Sequence, residues 1–384
     1  MAEAKLRAAV VGLGFIGPAH VEAIQRCGLA RVEAVVSRSL EKGKAFAERW
    51  GIPRVYTSLD DLLRDGGIDA VHNCTPNALH YGINKKVLEA GIHLFSEKPL
   101  TMTAKEAKDL VELARKKGVV AAVMYNYRMF PLVIEAKRMI EGGKLGRIFA
   151  VEAEYLQDWL IYDTDYNWRL EPEMAGPTRA VGDIGTHAAD LLQYLTGKHI
   201  TEVMARMTTV HPVRKKPKGE VVTFAQQGAQ EYEYEEVRVT TEDYATMLIT
   251  LEGGIPGAIT VSQVTAGKKN GLHVRIDGQE GSIEWFQEDP NRLYIGRRSG
   301  PNEVLMRDPS LVSRETASFI FYPGGHEEGF PDAFKNACID FYSCILDRNR
   351  RQLVATLYDG YVENAFVEAV VESHQKNRWV KVAL

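Results

Sequence analysis

The sequence predicts an α/β protein: a doubly wound parallel Rossmann sheet followed by an α+β domain with an open, mainly antiparallel sheet. Three observations predict it. A glycine turn, Gly12-Leu13-Gly14-Phe15-Ile16-Gly17, sits directly behind the apolar run Leu6–Val11 and ahead of a helical pattern. Strand and helix patterns then alternate regularly over about the first 125 residues, which is the signature of right-handed βαβ units. After Pro131 the pattern changes to long segments with a period of two, as in antiparallel strands. At 384 residues the chain is long for one core. Two domains are expected, 1–130 for a dinucleotide and 131–384 for substrate binding and oligomerisation.

Each element has a local reason. In the glycine turn, Gly12 permits the tight bend, Gly14 lets the backbone approach a pyrophosphate, and Gly17 allows helix to pack on strand. The helix behind it runs to Cys27 and stops at Gly28, with Pro18 tolerated in its first turn. Further strands are read at Val32–Ser37, Ala70–Cys74, His93–Phe95 and Val119–Met124. Helices are read at Leu40–Trp50, Ser58–Arg64, Ala78–Ala90 and Ala104–Lys117, with Gly91 and Gly118 as stops. A helix at Val133–Glu141 opens the second domain. Strands follow at Ile148–Leu156, Thr201–Val210, Tyr234–Leu251, Gly257–Thr265, Leu272–Asp277 and Ser282–Phe286. Helices at Ile184–Leu195, Pro331–Leu346 and Val354–Lys376 cover one face. The stretch Gly219–Gly228 and the basic run Arg214–Lys218 read as solvated loops. An open sheet with one uncovered face points to a homo-oligomer, a dimer or tetramer.

Composition narrows the function. A formal charge of −4 gives no reason to expect a nucleic-acid partner. No stretch approaches the ~18 apolar residues of a membrane helix, and the N-terminus lacks a signal pattern, so a cytoplasmic protein is expected. None of the four cysteines forms a C-x-x-C pair, and His187 with Asp190 is too few ligands for a metal, so no metal site is expected.

The cofactor class follows from the second strand. An acidic residue about 20 positions past the glycines marks NAD binding. Here the strand ends Val36-Ser37-Arg38-Ser39. Ser37 suits a ribose hydroxyl or a 2′-phosphate, and Arg38 suits a phosphate or adenine unless it is a solvent-facing loop residue. NAD(P), with acceptance of NADP, is the expectation.

Three motifs point to chemistry: Cys74-Thr75-Pro76-Asn77 with His80, Glu97-Lys98-Pro99, and Gly182-Asp183-Ile184-Gly185-Thr186-His187. Asn77 is placed to cap the next helix. If the third segment is helical, Asp183 and His187 share a face. Together with Gly12–Gly17 and Asn126-Tyr127-Arg128, these motifs resemble the Gfo/Idh/MocA oxidoreductases over nearly the whole chain. Tyr155–Trp159 and Asp165–Arg169 resemble, more loosely, the subgroup acting on cyclic polyols and anhydrosugars such as levoglucosan.

The resemblance implies Lys98, Asp183 and His187 as the catalytic set. Elementary chemistry agrees, because hydride loss from a secondary alcohol needs a base and a positive charge near the alkoxide. His187 is the candidate base, Asp183 orients it or binds a hydroxyl, and Lys98 bonds the reacting oxygen. Cofactor contacts are expected from Gly12, Gly14, Phe15, Ile16, Ser37, Arg38, Thr75, Pro76, Asn77, His80, Glu97, Lys98, Asn126, Trp168 and Arg169. Substrate contacts are expected from Lys98, Tyr127, Gln157, Trp159, Asp183, His187 and His326, the last on the polar loop Tyr322–Gly329. Trp159, Trp168 and Tyr127 serve either as flat faces for a sugar ring or as core aromatics. The implied activity is an NAD(P)-dependent dehydrogenase or reductase of a cyclic sugar or polyol. The alternatives are an NAD-dependent glycosidase working by transient oxidation and a non-catalytic sugar sensor or repressor.

Overall fold

The structure is a computed structural model and describes residues 5–218 and 233–384, so the expected loop Gly219–Gly228 lies outside the described residues. The first half of the chain runs β1 (Leu6–Val11), α1 (Gly17–Cys27), β2 (Ala30–Val36), α2 (Leu40–Trp50), β3 (Arg54–Tyr56), α3 (Leu59–Asp65), β4 (Ala70–Asn73), α4 (Asn77–Glu89), β5 (His93–Ser96), α5 (Ala104–Lys117) and β6 (Ala121–Val123). It continues through α6 (Pro131–Glu141), β7 (Ile148–Leu156), α7 (Pro172–Ala175), α8 (Thr186–Thr196), β8 (Ile200–Thr208), β9 (Val213–Pro217) and β10 (Tyr234–Arg238). The remainder comprises β11 (Tyr244–Leu251), β12 (Ile255–Ser262), β13 (Gly271–Gly278), β14 (Ser282–Phe286), β15 (Arg292–Gly296), β16 (Glu303–Met306), α9 (Arg314–Ala317), α10 (Phe330–Leu346), α11 (Leu357–Lys376) and β17 (Val380–Lys381).

Two compact units result: Met1–Phe130 with Glu328–Asn364, and Pro131–Glu327 with Ala365–Leu384. The stretch Glu328–Asn364, expected with the second domain, therefore packs with the first. Tyr342 and Phe341 of α10 are fully buried against its sheet residues His72 and Phe95.

The first unit is a six-stranded parallel sheet in the order β3-β2-β1-β4-β5-β6. The order reverses between β1 and β4, which is where doubly wound sheets bind ligands at their carboxyl ends. The helices start and stop where their end residues dictate. Thr103 and Glu106 form a reciprocal capping box on α5, Ser39 caps α2, and Gly28, Gly51 and Gly118 end α1, α2 and α5 in the left-handed region. Pro76 precedes α4, so Asn77 is its first residue and not its cap. The sequence missed β3, which is only three residues long and half-buried.

The second unit is built on nine strands in the order β16-β15-β14-β13-β7-β12-β11-β8-β17, antiparallel except for the parallel pair β7–β12. Its strands alternate. Val151, Ala153, Tyr155, Met247, Ile249, Val274 and Trp285 are buried on one face, while Glu152, Glu154, Leu248, Arg275 and Phe286 lie on the other. α8 packs on β7 and β13, and α6 on β14 and β15.

Two expectations fail here for one reason. The run Arg214–Lys218 is not a solvated loop but largely strand β9, paired with β10, and Arg214 is fully buried. The segment Tyr234–Leu251 is not one strand: it breaks into β10 and β11 around Thr241, Glu242 and Asp243, all buried. Buried ion pairing, described below, overrides the usual exposure of charged residues.

Candidate active site

In the first unit the glycine turn has the geometry a dinucleotide needs. Gly12 has φ +93°, and a Cβ there would lie 2.7 Å from the Cys74 carbonyl oxygen. A Cβ on Gly17 would lie 2.5 Å from the Gly12 carbonyl, so the helix sits hard against the turn. At Gly14 a Cβ would meet nothing within 4 Å. No side chain caps the α1 N-terminus, where the helix dipole favours negative charge. These residues fit a nicotinamide dinucleotide. Phe15 is exposed beside the turn, and Arg38 is exposed beyond β2.

The turns after β4 and β5 are tied together by buried amides. The Asn73 Oδ1 accepts from the Thr75 N–H and hydroxyl, and its Nδ2 donates to Asn84, whose amide donates to Ser96 at 2.9 Å. His80 is buried between the same turns, its ring nitrogens 2.7 Å from the carbonyl oxygens of Pro99 and Thr75. Both partners accept only, so both bonds together need the imidazolium, and burial works against that charge. A neutral His80 ring donates to one of the two carbonyls and sits packed against the other. Glu97 is turned inward, accepting from His20 at 2.9 Å and from the Lys98 N–H at 3.1 Å. Burial pushes its carboxyl up, but the His20 bond and the charge of Lys98 hold it below its ordinary value. Lys98 follows, half-buried. Asn126 and Tyr127 are buried in a 3₁₀ turn, and Tyr127 stacks on Phe130, so within this unit it is a core aromatic.

In the second unit a π-helical turn, Val181–Gly185, precedes α8 and ends with the Thr186 N–H on the Val181 carbonyl. Such turns recur at functional sites. It carries Asp183, and His187 follows four residues later, 6% exposed. Both Asp183 oxygens are engaged: Oδ1 accepts from Arg169 Nε at 3.3 Å and Oδ2 from Gln263 Nε2 at 3.0 Å. The Arg169 guanidinium in turn covers the Trp168 ring at 4.6 Å. Behind Gln263 lies a buried charge cluster. Arg179 donates to Gln263 at 3.1 Å and to Asp243, and Arg214 donates to Asp243 at 2.7 Å. Arg214 also donates to the Leu160, Tyr162 and Asp165 carbonyls, fixing the loop ahead of Trp168 and Arg169. Burial pushes the Asp243 carboxyl up, but the two guanidiniums hold it below its ordinary value.

A second polar group lies around the Tyr155 ring, whose centre is 6.2 Å from that of His187. Asn270 Oδ1 accepts from the Tyr155 hydroxyl at 2.6 Å and from Gln157 at 3.0 Å, and Gln157 accepts from the Trp159 indole at 2.8 Å. His326 is exposed on its loop, which Arg307 pins through the Tyr322, Pro323 and His326 carbonyls. Among the described residues, no group of three or more His, Cys, Asp or Glu is placed to hold a metal ion, and no helix is long and apolar enough to cross a membrane.

Sequence reasoning missed His20, His72, Asn73, Asn84, Gln263 and Asn270. Only His20 had a signal, a histidine three residues past the last turn glycine.

The description "Oxidoreductase family, NAD-binding Rossmann fold" matches residues 6–125, and "GFO/IDH/MocA C-terminal domain" matches residues 133–284. Levoglucosan dehydrogenase of Pseudarthrobacter phenanthrenivorans is 28% identical over 391 residues, covering 98% of each chain. A solved levoglucosan dehydrogenase in complex with NADH and levoglucosan superposes with a TM-score of 0.89 at 26% identity, covering 99% of this chain and 100% of that one. An inositol dehydrogenase homolog from Azotobacter vinelandii, complexed with NAD+, gives 0.85 at 27% identity, covering 99% of this chain and 98% of that one.

Proposed function

Starting from a chain that belongs to the Gfo/Idh/MocA oxidoreductase family, we propose that it moves a hydride to or from a secondary hydroxyl of a cyclic sugar or polyol, using NAD or NADP. One observation supports this most directly. Asp183 accepts from Arg169 and Gln263, one helical turn ahead of the buried His187. A carboxylate fixed by two donors keeps lone pairs for a substrate hydroxyl, and the imidazole is the nearby group able to take a proton. The relatives include a levoglucosan dehydrogenase and an inositol dehydrogenase homolog, named for ring polyols of this class.

The roles follow from charge. The bound nicotinamide dinucleotide supplies the hydride acceptor or donor. Lys98 offers an ammonium to the oxygen that becomes an alkoxide, and His187 takes the hydroxyl proton. Asp183 accepts from a neighbouring hydroxyl and fixes the ring. Gln157, Trp159 and Asn270 form a linked donor and acceptor set suited to further hydroxyls. Ser37 and Arg38, with no acid at the end of β2, support acceptance of the 2′-phosphate. The uncovered face of the nine-stranded sheet, with Leu248, Phe286 and Val304 exposed, supports a homo-oligomer.

The test is a panel of anhydrosugars, inositols and pyranoses, read by reduced-nicotinamide absorbance with NAD and NADP separately. Reduction of either cofactor by a ring polyol is the expected result. Silence across the panel in both directions, with cofactor bound, would defeat the reading.

A further inference from the structure

We infer that His20 is a positioning residue for Lys98, acting through Glu97 in a buried hydrogen-bond chain that begins at Tyr342 and passes through His72. The inference rests on the role given to Lys98 above and deepens it. Four elements each contribute one link: Tyr342 from α10, His72 from β4, His20 from α1, and Glu97 from the turn after β5. The Tyr342 hydroxyl lies 2.8 Å from His72 Nε2, and His72 Nδ1 lies 2.8 Å from His20 Nδ1. His20 Nε2 lies 2.9 Å from Glu97 Oε1, and Glu97 Oε2 accepts from the Lys98 N–H at 3.1 Å. Glu97 is 7% exposed and the other three are fully buried.

Proton counting gives the chain a direction. A carboxylate only accepts, so His20 Nε2 donates to Glu97. Two facing Nδ1 atoms share one proton. With both rings neutral, His20 Nδ1 accepts, His72 Nδ1 donates, and His72 Nε2 accepts from Tyr342. Every bond then points towards Glu97 and every ring nitrogen has a partner. Burial pushes His72 well below its ordinary value, which agrees with a neutral ring at that link.

The consequence falls on Lys98. Its own N–H is held by Glu97, and the carbonyl of the following residue, Pro99, lies 2.7 Å from His80 Nδ1. The backbone is therefore gripped on both sides of the residue that carries the ammonium. The charge of Lys98 in turn helps to keep Glu97 a carboxylate. A carboxylate is a costly group to bury where an apolar side chain would fill the space. Its position one residue before Lys98 gives that burial a use. Misplacing a reacting group by about 1 Å can cost on the order of 100-fold in rate.

Two measurements test this, and they fail separately. In protein labelled with ¹⁵N-histidine, ring-nitrogen shifts at neutral pH report the tautomers without any turnover. H20Q and H72F assign the two rings. The expected pattern is a proton on His20 Nε2 and on His72 Nδ1, with bare nitrogens at His20 Nδ1 and His72 Nε2. A bare His20 Nε2, a doubly protonated His20, or rings averaging between tautomers, overturns the chain. The second measurement compares H20L, which removes the donor, with H20Q, which keeps an amide N–H. On a substrate the parent accepts, kcat falls about 10- to 100-fold in H20L while KM and cofactor Kd stay within about threefold. H20Q restores most of the loss. Equal losses in both variants, or cofactor binding lost in step with kcat, overturns the positioning role. If the parent oxidises no ring polyol, the functional reading falls, and the nitrogen pattern still decides the chain.

Discussion

At the scale of single residues, the motif residues and their supports make different predictions. K98M and H187A should each lose turnover by about 10²- to 10⁴-fold, as when an electrostatic or acid–base group is removed. Cofactor affinity should change far less in H187A, and steady-state kinetics with a nicotinamide fluorescence titration separates the two effects. Q263L should behave otherwise. It removes the donor to Asp183 Oδ2 at 3.0 Å and leaves Arg169 as its remaining donor among these two. The expected result is a loss of about tenfold in kcat/KM, chiefly through KM, because the carboxylate stays but loses its aim. An unchanged KM would show that Gln263 does not orient Asp183. The sequence made Lys98, Asp183 and His187 legible because they sit in short motifs. Gln263 lies 80 positions from Asp183, and a polar residue at the end of an alternating strand carries no local mark. The same holds for Asn270 and His72, whose partners are Gln157 and His20.

Elements make their own predictions. In the turn between β1 and α1 the two glycines should separate fold from function. G14A adds a Cβ into open space and should keep the melting temperature while weakening NADH binding by about 10- to 100-fold. G12A adds one 2.7 Å from the Cys74 carbonyl at φ +93°, and should destabilise the unit itself, visible in thermal melts without cofactor. For β9 the test is R214L. Removing one arm of the Arg179–Asp243–Arg214 cluster leaves a buried carboxylate short of charge and should cost about 3–5 kcal/mol, measured by urea unfolding. The pH dependence has a definite sign. Asp243 has a folded pKa below its ordinary 3.8, so its stabilisation is complete above that value and is lost as pH falls through the lower folded pKa. R214L raises the folded pKa, so the midpoint of acid unfolding should move to higher pH. The helices were legible from their ends, as with Leu40–Trp50 between Ser39 and Gly51, because caps are local chemistry. β9 was hidden, since a run of basic residues reads as solvated until Asp243 is known to lie beneath it.

For the whole molecule, the prediction concerns the uncovered sheet face. Leu248 and Phe286 are exposed on it, with Glu152 and Arg275 in register on strands between theirs and Glu284 on the strand of Phe286. Light scattering should find a homo-oligomer, and L248E with F286E should reduce its mass while leaving the circular dichroism spectrum intact. A monomeric parent would remove that face as an assembly surface. The sequence by itself determined the two sheet types and the dinucleotide turn, because periodicity, capping and glycine geometry act over a few neighbouring residues. It also singled out Lys98, Asp183 and His187 as candidates through their motifs. Only the tertiary structure decided that Glu328–Asn364 packs with the first sheet. Only it decided that Tyr342, His72 and His20 line up behind Glu97, and that Arg179 and Arg214 enclose Asp243. Those choices depend on burying polar groups that lie far apart along the chain, where each is tolerable only once its partner is in place.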